Sequence, residues 1–317
     1  MTTKCQYIFM GTPSFAVTVL DAFSKVFGPP LLAVTQPDKP AGRKAVITPS
    51  EVKRYARERG IGVITPERLS DDQVVEQIRN LRPEVIVTAA FGKILPLSIL
   101  ALPERGCLNV HASLLPRHRG ASPVAAAILA GDRETGVTIM QMDQGLDTGP
   151  ILKQTPLIIA AEDTTGSLTA RLAELAGPVL AETVQGLRAG TVREQPQDNE
   201  GATMTRILTK RDGALDFSRS AAELERRVRA MMPWPRSYCR FGESVIHVER
   251  AVCADPVRSG PEPGTIVGLD GGIDIACREG VLRLLEIVPA GRKRMQASAM
   301  AHNLNPGDRF DSGFVSR

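Results

Sequence analysis

Residues 84–90 read EVIVTAA, a run of β-branched and small residues that carries no charge after Glu84. Such a run is typical of a strand buried on both faces, as in a parallel sheet covered by helices. Similar apolar runs occur at residues 6–10, 31–35 and 108–111, and helical patterns separate them along the chain. This alternation predicts an α/β fold whose core is a doubly wound parallel sheet.

The pattern changes in the last third of the chain. Residues 165–188 predict a long helix, and residues 190–202 (GTVREQPQDNEGA) are polar and lack periodicity, which is typical of a linker. Beyond it, one helix at residues 221–231 precedes several short strands separated by turn residues, a pattern that favours a small β-barrel. We therefore expect a domain over residues 1–189, a linker over 190–205 and a barrel over 206–317.

Charge is distributed unevenly between these parts. Residues 1–205 contain 21 Lys and Arg against 21 Asp and Glu, whereas residues 206–317 contain 18 against 14. The whole net charge of +4 therefore lies after residue 205, which suggests a surface that faces a polyanion. Arg226, Arg227, Arg229 and the run 292–294 are candidates for phosphate contacts. A basic surface without a polyanionic partner is the alternative.

Other sequence features exclude several classes of protein. The five cysteines are widely spaced and form no C-x-x-C pair, which favours reduced thiols over disulfides or a zinc site. No segment has the roughly 20 apolar residues that a membrane span needs, so we expect a cytoplasmic protein. The first strand–helix turn, residues 10–14 (MGTPS), lacks the G-x-G-x-x-G pattern of a dinucleotide site. We expect no bound metal, because no His, Cys and Asp cluster has ligand spacing.

The richest stretch for chemistry is residues 109–120, NVHASLLPRHRG. Asn109 and His111 are two apart in a predicted strand, so their side chains point to the same face. They lie at the carboxyl end of that strand, where open α/β sheets bind their ligands. An amide donor beside an imidazole can stabilise the oxyanion that forms when a carbonyl is attacked. A structural histidine with a satisfied hydrogen bond is the alternative for this segment alone.

A second stretch, residues 142–150, reads MDQGLDTGP. Its two glycines and proline predict a loop of fixed shape between two strands, and the loop contains Asp143 and Asp147. A carboxylate in such a loop can orient an imidazole or accept a proton through water. An aspartate that only braces the turn is the alternative.

Together these two stretches resemble the formyltransferases that use 10-formyltetrahydrofolate. The resemblance rests on Asn109-x-His111-x-Ser113-Leu114-Leu115-Pro116-x-x-Arg119-Gly120 and on Gly145-Leu146-Asp147-Thr148-Gly149. Further matching segments lie at residues 9–13, 36–43, 90–96, 208–213, 229–230 and 233–235. The resemblance covers nearly the whole chain and weakens after about Arg240.

The resemblance implies a Rossmann-like catalytic domain, a linker and an OB-like barrel that binds tRNA. It also implies that 10-formyltetrahydrofolate is the formyl donor and that no metal takes part. Two groups of site residues follow from it: the catalytic Asn109, His111 and Asp147, and the folate-binding Ser113, Leu114, Leu115 and Pro116.

The loop at residues 36–50 is implied to contact the acceptor end of a charged initiator tRNA, with Arg43 and Lys44 as its positive charges. The family has a glycine and more lysines just after the arginine, where this chain has Lys44-Ala45-Val46. This departure predicts weaker contacts between the loop and tRNA, without an effect on the chemistry. A solvated charge that touches no tRNA is the alternative for Arg43.

The predicted function is formyl transfer to the α-amine of methionyl initiator tRNA, for translation initiation, by a monomeric enzyme. Transfer to a sugar-nucleotide amine or to a glycinamide ribonucleotide would use the same three residues, and the basic last third favours tRNA over these acceptors. A folate- or tRNA-binding module without catalysis is a second alternative, which the complete catalytic group opposes. Hydrolase or dehydrogenase relatives of the family are a third, and no dehydrogenase domain fits in 317 residues.

Overall fold

The computed structural model describes residues 4–41, 45–257 and 260–313. The chain folds as two compact units. The first consists of Met1–Pro123, Glu134–Ile158 and Thr169–Thr205, and the second consists of Val124–Arg133, Ile159–Leu168 and Arg206–Arg317. Two short segments from the middle of the chain therefore belong to the second unit.

The first unit contains the strands β1 (Tyr7–Gly11), β2 (Leu32–Val34), β3 (Lys39–Ala41), β4 (Val46–Thr48), β5 (Val63–Ile64), β6 (Val85–Ala89), β7 (Cys107–His111), β8 (Arg119–Gly120), β9 (Glu134–Gln141), β10 (Ile151–Ile158) and β11 (Met204–Thr205). The helices up to residue 189 are α1 (Ser14–Phe27), α2 (Glu51–Glu58), α3 (Asp72–Asn80), α4 (Leu97–Leu100), α5 (Pro123–Ala130) and α6 (Thr165–Ala189). The main sheet has seven strands in the order β10-β9-β7-β6-β1-β2-β5.

The sequence prediction of a Rossmann-like sheet is confirmed, with one difference at its edge. Strands β5, β2, β1, β6 and β7 are parallel, whereas β9 runs antiparallel to β7 and β10 runs antiparallel to β9. The short loop at residues 142–150 joins β9 to β10 as a hairpin, and a hairpin connection is possible only between antiparallel strands. The loop that carries Asp147 is that hairpin turn.

The centre of the sheet explains the apolar run from which the fold was predicted. All five residues of β6 are buried, and so are all five of β1, its neighbour in the sheet. Gly11, the last residue of β1, has to be glycine, because a Cβ there would lie 2.6 Å from the Ala16 Cβ and 2.9 Å from the Ala89 oxygen. This close approach brings the start of α1 against the carboxyl ends of the central strands.

Residues 36–50 were predicted as a loop, but the described residues of this segment include two short antiparallel strands. Strand β3 pairs with β4, and Lys39 lies opposite Thr48. Ser50 is the N-cap of α2, and its hydroxyl accepts a hydrogen bond from the Lys53 backbone N–H at 3.0 Å. Arg43 and Lys44, the predicted tRNA contacts, lie outside the described residues.

The second unit contains α7 (Ala221–Ala230) and the strands β12 (Ser237–Phe241), β13 (Ser244–Asp255), β14 (Ile266–Gly268), β15 (Ile273–Ala276), β16 (Val281–Pro289) and β17 (Met295–Gln296). The strands form one antiparallel sheet in the order β12-β13-β16-β15-β14, with β17 paired to β16. Neither β12 nor β17 was predicted from the sequence.

The chain near its C-terminus joins the two edges of this sheet. Arg240 of β12 and Asp311 exchange backbone hydrogen bonds of 3.1 and 2.9 Å. On the other edge, Ile266 of β14 donates to the Asp308 oxygen at 2.8 Å, and Phe310 donates to the Gly264 oxygen at 2.8 Å. The curled antiparallel sheet is therefore closed by residues 308–311, in agreement with the predicted barrel.

Helix α7 begins with a capping box formed by Ser220 and Glu223. The Ser220 hydroxyl accepts from the Glu223 backbone N–H at 3.3 Å, while the Glu223 carboxylate accepts from the Ser220 N–H at 3.0 Å. These hydrogen bonds hold the pKa of Glu223 below its usual value. The buried face of the helix carries Leu224 and Val228, which belong to the core of the barrel.

The arginines of α7 are already occupied by protein acceptors. Arg227 donates to the Asp212 oxygen at 2.8 Å, Arg229 donates to the Asp163 oxygen at 3.0 Å and pairs with Glu225, and Arg226 donates to the Leu129 oxygen at 3.4 Å. The structure therefore gives these arginines structural roles and offers no support for them as phosphate contacts.

In the parts of the chain that the structure describes, no helix is long and apolar enough to cross a membrane.

Candidate active site

Asn109 projects from the middle of β7, and its neighbour on β6 fixes its orientation. The two strands are parallel and place Thr88 beside Asn109. The Thr88 hydroxyl donates to the Asn109 Oδ1 at 2.8 Å, so the amide oxygen is occupied and the Nδ2 group is directed away from β6. That Nδ2 group donates to the Asp147 Oδ1 at 3.2 Å.

His111 ends β7 and is only 5% exposed. Its Nε2 lies 2.9 Å from the backbone oxygen of His118. A carbonyl oxygen only accepts hydrogen bonds, so Nε2 carries a proton. The other ring nitrogen, Nδ1, lies 3.6 Å from the Asp147 Oδ2. The ring is therefore anchored through Nε2, and Nδ1 is the nitrogen that faces the carboxylate.

Asp147 brings the group together from the β9–β10 loop. Its Oδ1 accepts from Asn109, and its Oδ2 accepts from the Gly120 backbone N–H at 2.8 Å and faces His111. Its backbone is in the left-handed region, with φ of 55°. This conformation costs a residue with a side chain about 1–2 kcal/mol, so contacts around the loop have to hold it.

Gly149 and Asp143 fix the shape of the same loop. A Cβ on Gly149 would lie 1.9 Å from the Gln141 backbone oxygen, so no larger residue fits there. The Asp143 carboxylate accepts from the Thr148 hydroxyl at 2.7 and 2.9 Å and from the Gly145 N–H at 2.9 Å. Asp143 therefore braces the turn, while Asp147 contacts Asn109 and His111.

The turn after β7 separates the four predicted folate-binding residues into two pairs. Ser113 is fully buried and donates to the Arg117 oxygen at 2.7 Å, and Leu115 is 3% exposed and packs with Met140 and Ile151. Leu114 and Pro116 are partly exposed, so a ligand can reach them. Ser113 and Leu115 shape the turn from inside.

Residues that the sequence analysis assigned to a linker hold this site in place. Strand β11 pairs with β8 in parallel. The Thr203 oxygen and hydroxyl accept from the backbone N–H groups of Arg119 and His118, both at 2.8 Å. The Gln197 side chain donates to the backbone of the Asp147 loop. Residues 197–205 thus support both segments that contact His111 and Asp147.

Cys107, two residues before Asn109 on β7, takes no part in this site. Burial raises the pKa of its thiol to about 12, which keeps it protonated and unreactive at neutral pH. Within the described ranges, the structure contains no cluster of three or more His, Cys, Asp or Glu side chains able to hold a metal ion.

Two family models match most of the chain. Residues 4–184 match the family model "Formyl transferase", and residues 207–305 match "Formyl transferase, C-terminal domain". The chain belongs to the formyl transferase family. Its first unit carries the candidate site described above, and its closed antiparallel sheet lies in the range that matches the C-terminal domain of that family.

Curated relatives of this formyl transferase are similar over nearly their whole length. Methionyl-tRNA formyltransferase from Myxococcus xanthus is 44% identical over 310 residues, which cover 96% of this chain and 97% of the relative. The same enzyme from Methylococcus capsulatus is 43% identical over 290 residues, which cover 92% and 94%.

A solved structure shows the same fold. It is an N-formyltransferase from Helicobacter canadensis in complex with folinic acid and dTDP-3-aminofucose, with a TM-score of 0.67 and 17% identity. The match covers 88% of this chain and 99% of that one.

Proposed function

We propose that this formyl transferase moves the formyl group of 10-formyltetrahydrofolate to the α-amine of methionyl initiator tRNA, for translation initiation in the cytoplasm. The observation that supports the chemistry is the convergence of Asn109 and His111 on Asp147 at the carboxyl end of β7. The methionyl acceptor is supported by relatives of that name at 40–44% identity over most of the chain.

In the proposed reaction, the methionyl nitrogen forms a bond to the formyl carbon, and the bond between that carbon and N10 of the folate then breaks. Asn109 Nδ2 and His111 Nδ1 donate hydrogen bonds to the oxyanion that forms between these two steps. The amine loses one proton and N10 gains one, with the Asp147 carboxylate assisting the transfer. No covalent intermediate with the protein is formed.

The hydrogen bond from Nε2 to the His118 oxygen determines the protonation state in which Nδ1 of His111 can act as a donor. Because Nε2 already donates to the His118 oxygen, Nδ1 can donate to an oxyanion only when the ring carries both protons. The Asp147 carboxylate, 3.6 Å away, is the counter-ion of that charged ring. Asp147 therefore has two roles in the proposal: it orients His111 and it balances its charge.

For the folate, we propose that Leu114 and Pro116 form the apolar wall that the donor touches. Ser113 and Leu115 belong to the same folate-binding turn, but their burial means that they act by fixing its shape. Replacing Leu115 would therefore test the core packing with Met140 and Ile151 as much as it tests the ligand.

The proposal divides the chain as the sequence suggested, into a catalytic domain at residues 1–189, a linker at 190–205 and a tRNA-binding barrel at 206–317. Arg43 and Lys44 are proposed to place the acceptor end of the tRNA, and the protein is proposed to act as a monomer.

In the barrel, Arg292 and Lys293 are exposed, and among the described residues no carboxylate lies within 4.0 Å of either side chain.

This charge distribution gives a prediction about tRNA binding. Replacing Arg292 and Lys293 together with glutamine should weaken tRNA binding and lower its salt slope by about 1.4–1.8, because each phosphate contact contributes roughly 0.7–0.9. Filter binding across a salt series measures both quantities. The matched control replaces Arg219 and Arg309 with glutamine. This removes the same charge, but from arginines that are already paired with Glu223 at 3.5 Å and Glu262 at 2.8 Å. A test variant with the wild-type slope would place the docking surface elsewhere.

The function itself is tested with labelled 10-formyltetrahydrofolate and three acceptors: methionyl initiator tRNA, an amino-sugar nucleotide and glycinamide ribonucleotide. We expect the label on the tRNA, with kcat/KM at least about a hundredfold above the other two, since the missing contacts of a small acceptor lower transition-state binding. Preferential labelling of the sugar nucleotide would overturn the proposal that tRNA is the acceptor and would leave the proposed formyl transfer supported. No labelling of any acceptor would overturn the reaction.

A further inference from the structure

We propose that Gln197 is a positioning residue of the active site, which holds the loop of Asp147 in its reactive conformation. The inference rests on the proposed catalytic role of Asp147. Gln197 itself touches no reacting group and acts through the backbone of that loop.

The amide nitrogen of Gln197 binds the loop on both sides of Thr148. Its Nε2 donates to the Asp147 backbone oxygen at 2.9 Å and to the Gly149 backbone oxygen at 2.7 Å. An amide NH₂ group has two protons, so both are used on the loop. One of these two carbonyl oxygens belongs to Asp147 itself, the residue that supplies the carboxylate and whose φ is 55°.

The amide oxygen of Gln197 is held by a buried arginine. Its Oε1 accepts from the Arg119 Nε at 3.1 Å and from Nη2 at 2.8 Å, and Nη2 also donates to the Asn199 Oδ1 at 3.0 Å. Arg119 is 5% exposed, and no carboxylate lies within 4.0 Å of it in the described part of the chain. A rotated amide would place its NH₂ against the guanidinium, so the contacts fix which end of Gln197 faces the loop.

This arrangement makes the position of Asp147 depend on Gln197. Both carboxylate oxygens of Asp147 already have partners, Asn109 and Gly120, so a shift of the loop would break contacts on both. A displacement of about 1 Å in a catalytic geometry can lower a rate by roughly a hundredfold. Gln197 is partly buried, whereas its neighbours Pro196 and Asp198 are exposed, which fits a side chain that serves the site.

The Gln197→Glu variant tests the donor end of this side chain separately from its acceptor end. The carboxylate still accepts from Arg119 and gains an ion pair, but it replaces the donor to the loop with an acceptor that faces two carbonyl oxygens. We expect a melting temperature close to that of the wild type, a fall in kcat of at least about tenfold and KM values for both substrates within about twofold. Gln195→Glu is the matched control, because Gln195 is exposed and is held by backbone hydrogen bonds to Ile151 at 2.8 and 2.9 Å.

A double-mutant cycle tests whether Gln197 acts through Asp147. In an Asp147→Asn background, Gln197→Glu should cause little further loss of kcat, since the interaction it supports has been removed. Wild-type kcat in the single variant, or a full tenfold loss repeated in the Asp147→Asn background, would overturn the inference.

Amide hydrogen exchange provides a readout that needs no activity. We expect exchange in residues 142–150 to be faster in Gln197→Glu than in the wild type, and unchanged in Gln195→Glu. If exchange is faster in Gln197→Glu but the wild-type protein formylates no acceptor, the loop contact is upheld and the proposed function is overturned. If exchange is unchanged in Gln197→Glu and the wild-type protein formylates tRNA, the proposed function is upheld and the role of Gln197 is overturned.

Discussion

Replacing Asp147 with asparagine is expected to lower turnover at least about a hundredfold, with a much smaller effect on the affinity for tRNA or folate. The new side chain has nearly the same shape but carries an NH₂ group in place of one oxygen. Since the two oxygens of Asp147 accept from Asn109 and Gly120, the NH₂ group must face one of these donors. In the proposed mechanism, the doubly protonated His111 ring would also lose its counter-ion. Single-turnover formylation, with both affinities measured separately, tests this.

Asp143 supplies the matched control for that experiment. It lies in the same loop, is exposed, and binds Thr148 and Gly145 without reaching Asn109 or His111. Asn at residue 143 keeps an oxygen for these donors, so near-wild-type turnover is expected. Equal losses for the Asp143→Asn and Asp147→Asn variants would assign the effect to loop shape and would remove the specific role of Asp147.

Replacing Asn109 with alanine is expected to lower kcat by roughly 10²–10³, the loss typical of removing one oxyanion donor. The donor's direction depends on Thr88, whose hydroxyl holds the amide oxygen at 2.8 Å. Thr88→Val should therefore give a smaller loss, and Thr88→Ser should recover most of the activity because it keeps the hydroxyl. Steady-state kinetics on the three variants measures this order.

The order of these variants is the critical outcome. A Thr88→Ser protein as slow as Thr88→Val would show that losing the methyl group costs as much as losing the hydroxyl, so that the hydrogen bond alone does not set the direction of Asn109. An Asn109→Ala protein with near-wild-type kcat and a normal melting temperature would remove Asn109 from the catalytic group.

The parts of the site that lie close in sequence could be predicted from it. Asn109 and His111 are two residues apart on one strand, and the period of a strand puts them on the same face. Asp147 was harder, because the loop also contains Asp143 and their residue types alone do not distinguish them. The family resemblance chose Asp147, and the hydrogen bonds show why the two carboxylates differ.

The parts that the sequence did not reveal depend on distant partners or on weak patterns. Gln197 lies in a polar, aperiodic segment, and its partners Asp147 and Arg119 are 50 and 78 positions away along the chain. Strand β12 has the short sequence SYCRF, which shows no regular alternation of polar and apolar residues and directly follows the proline-rich turn at residues 233–235. Arg227 and Arg229 looked like surface charges, because a sequence does not show which carbonyl oxygens a fold will place beside a guanidinium.

The pairing of β8 with β11 has a consequence for the order in which the protein is made. Translation proceeds from the N-terminus at about 5–20 residues per second, so roughly 3–12 s separate the synthesis of Asp147 from that of Thr205. Once residue 158, the end of β10, has been added, the main sheet is complete in sequence, but Gln197, Thr203 and the β11 strand are still to be made. A nascent chain that has only reached residue 189 would therefore carry Asn109, His111 and Asp147 without the segment that fixes their geometry. We expect the ability to transfer formyl groups to arise only after the end of the first unit has left the ribosome.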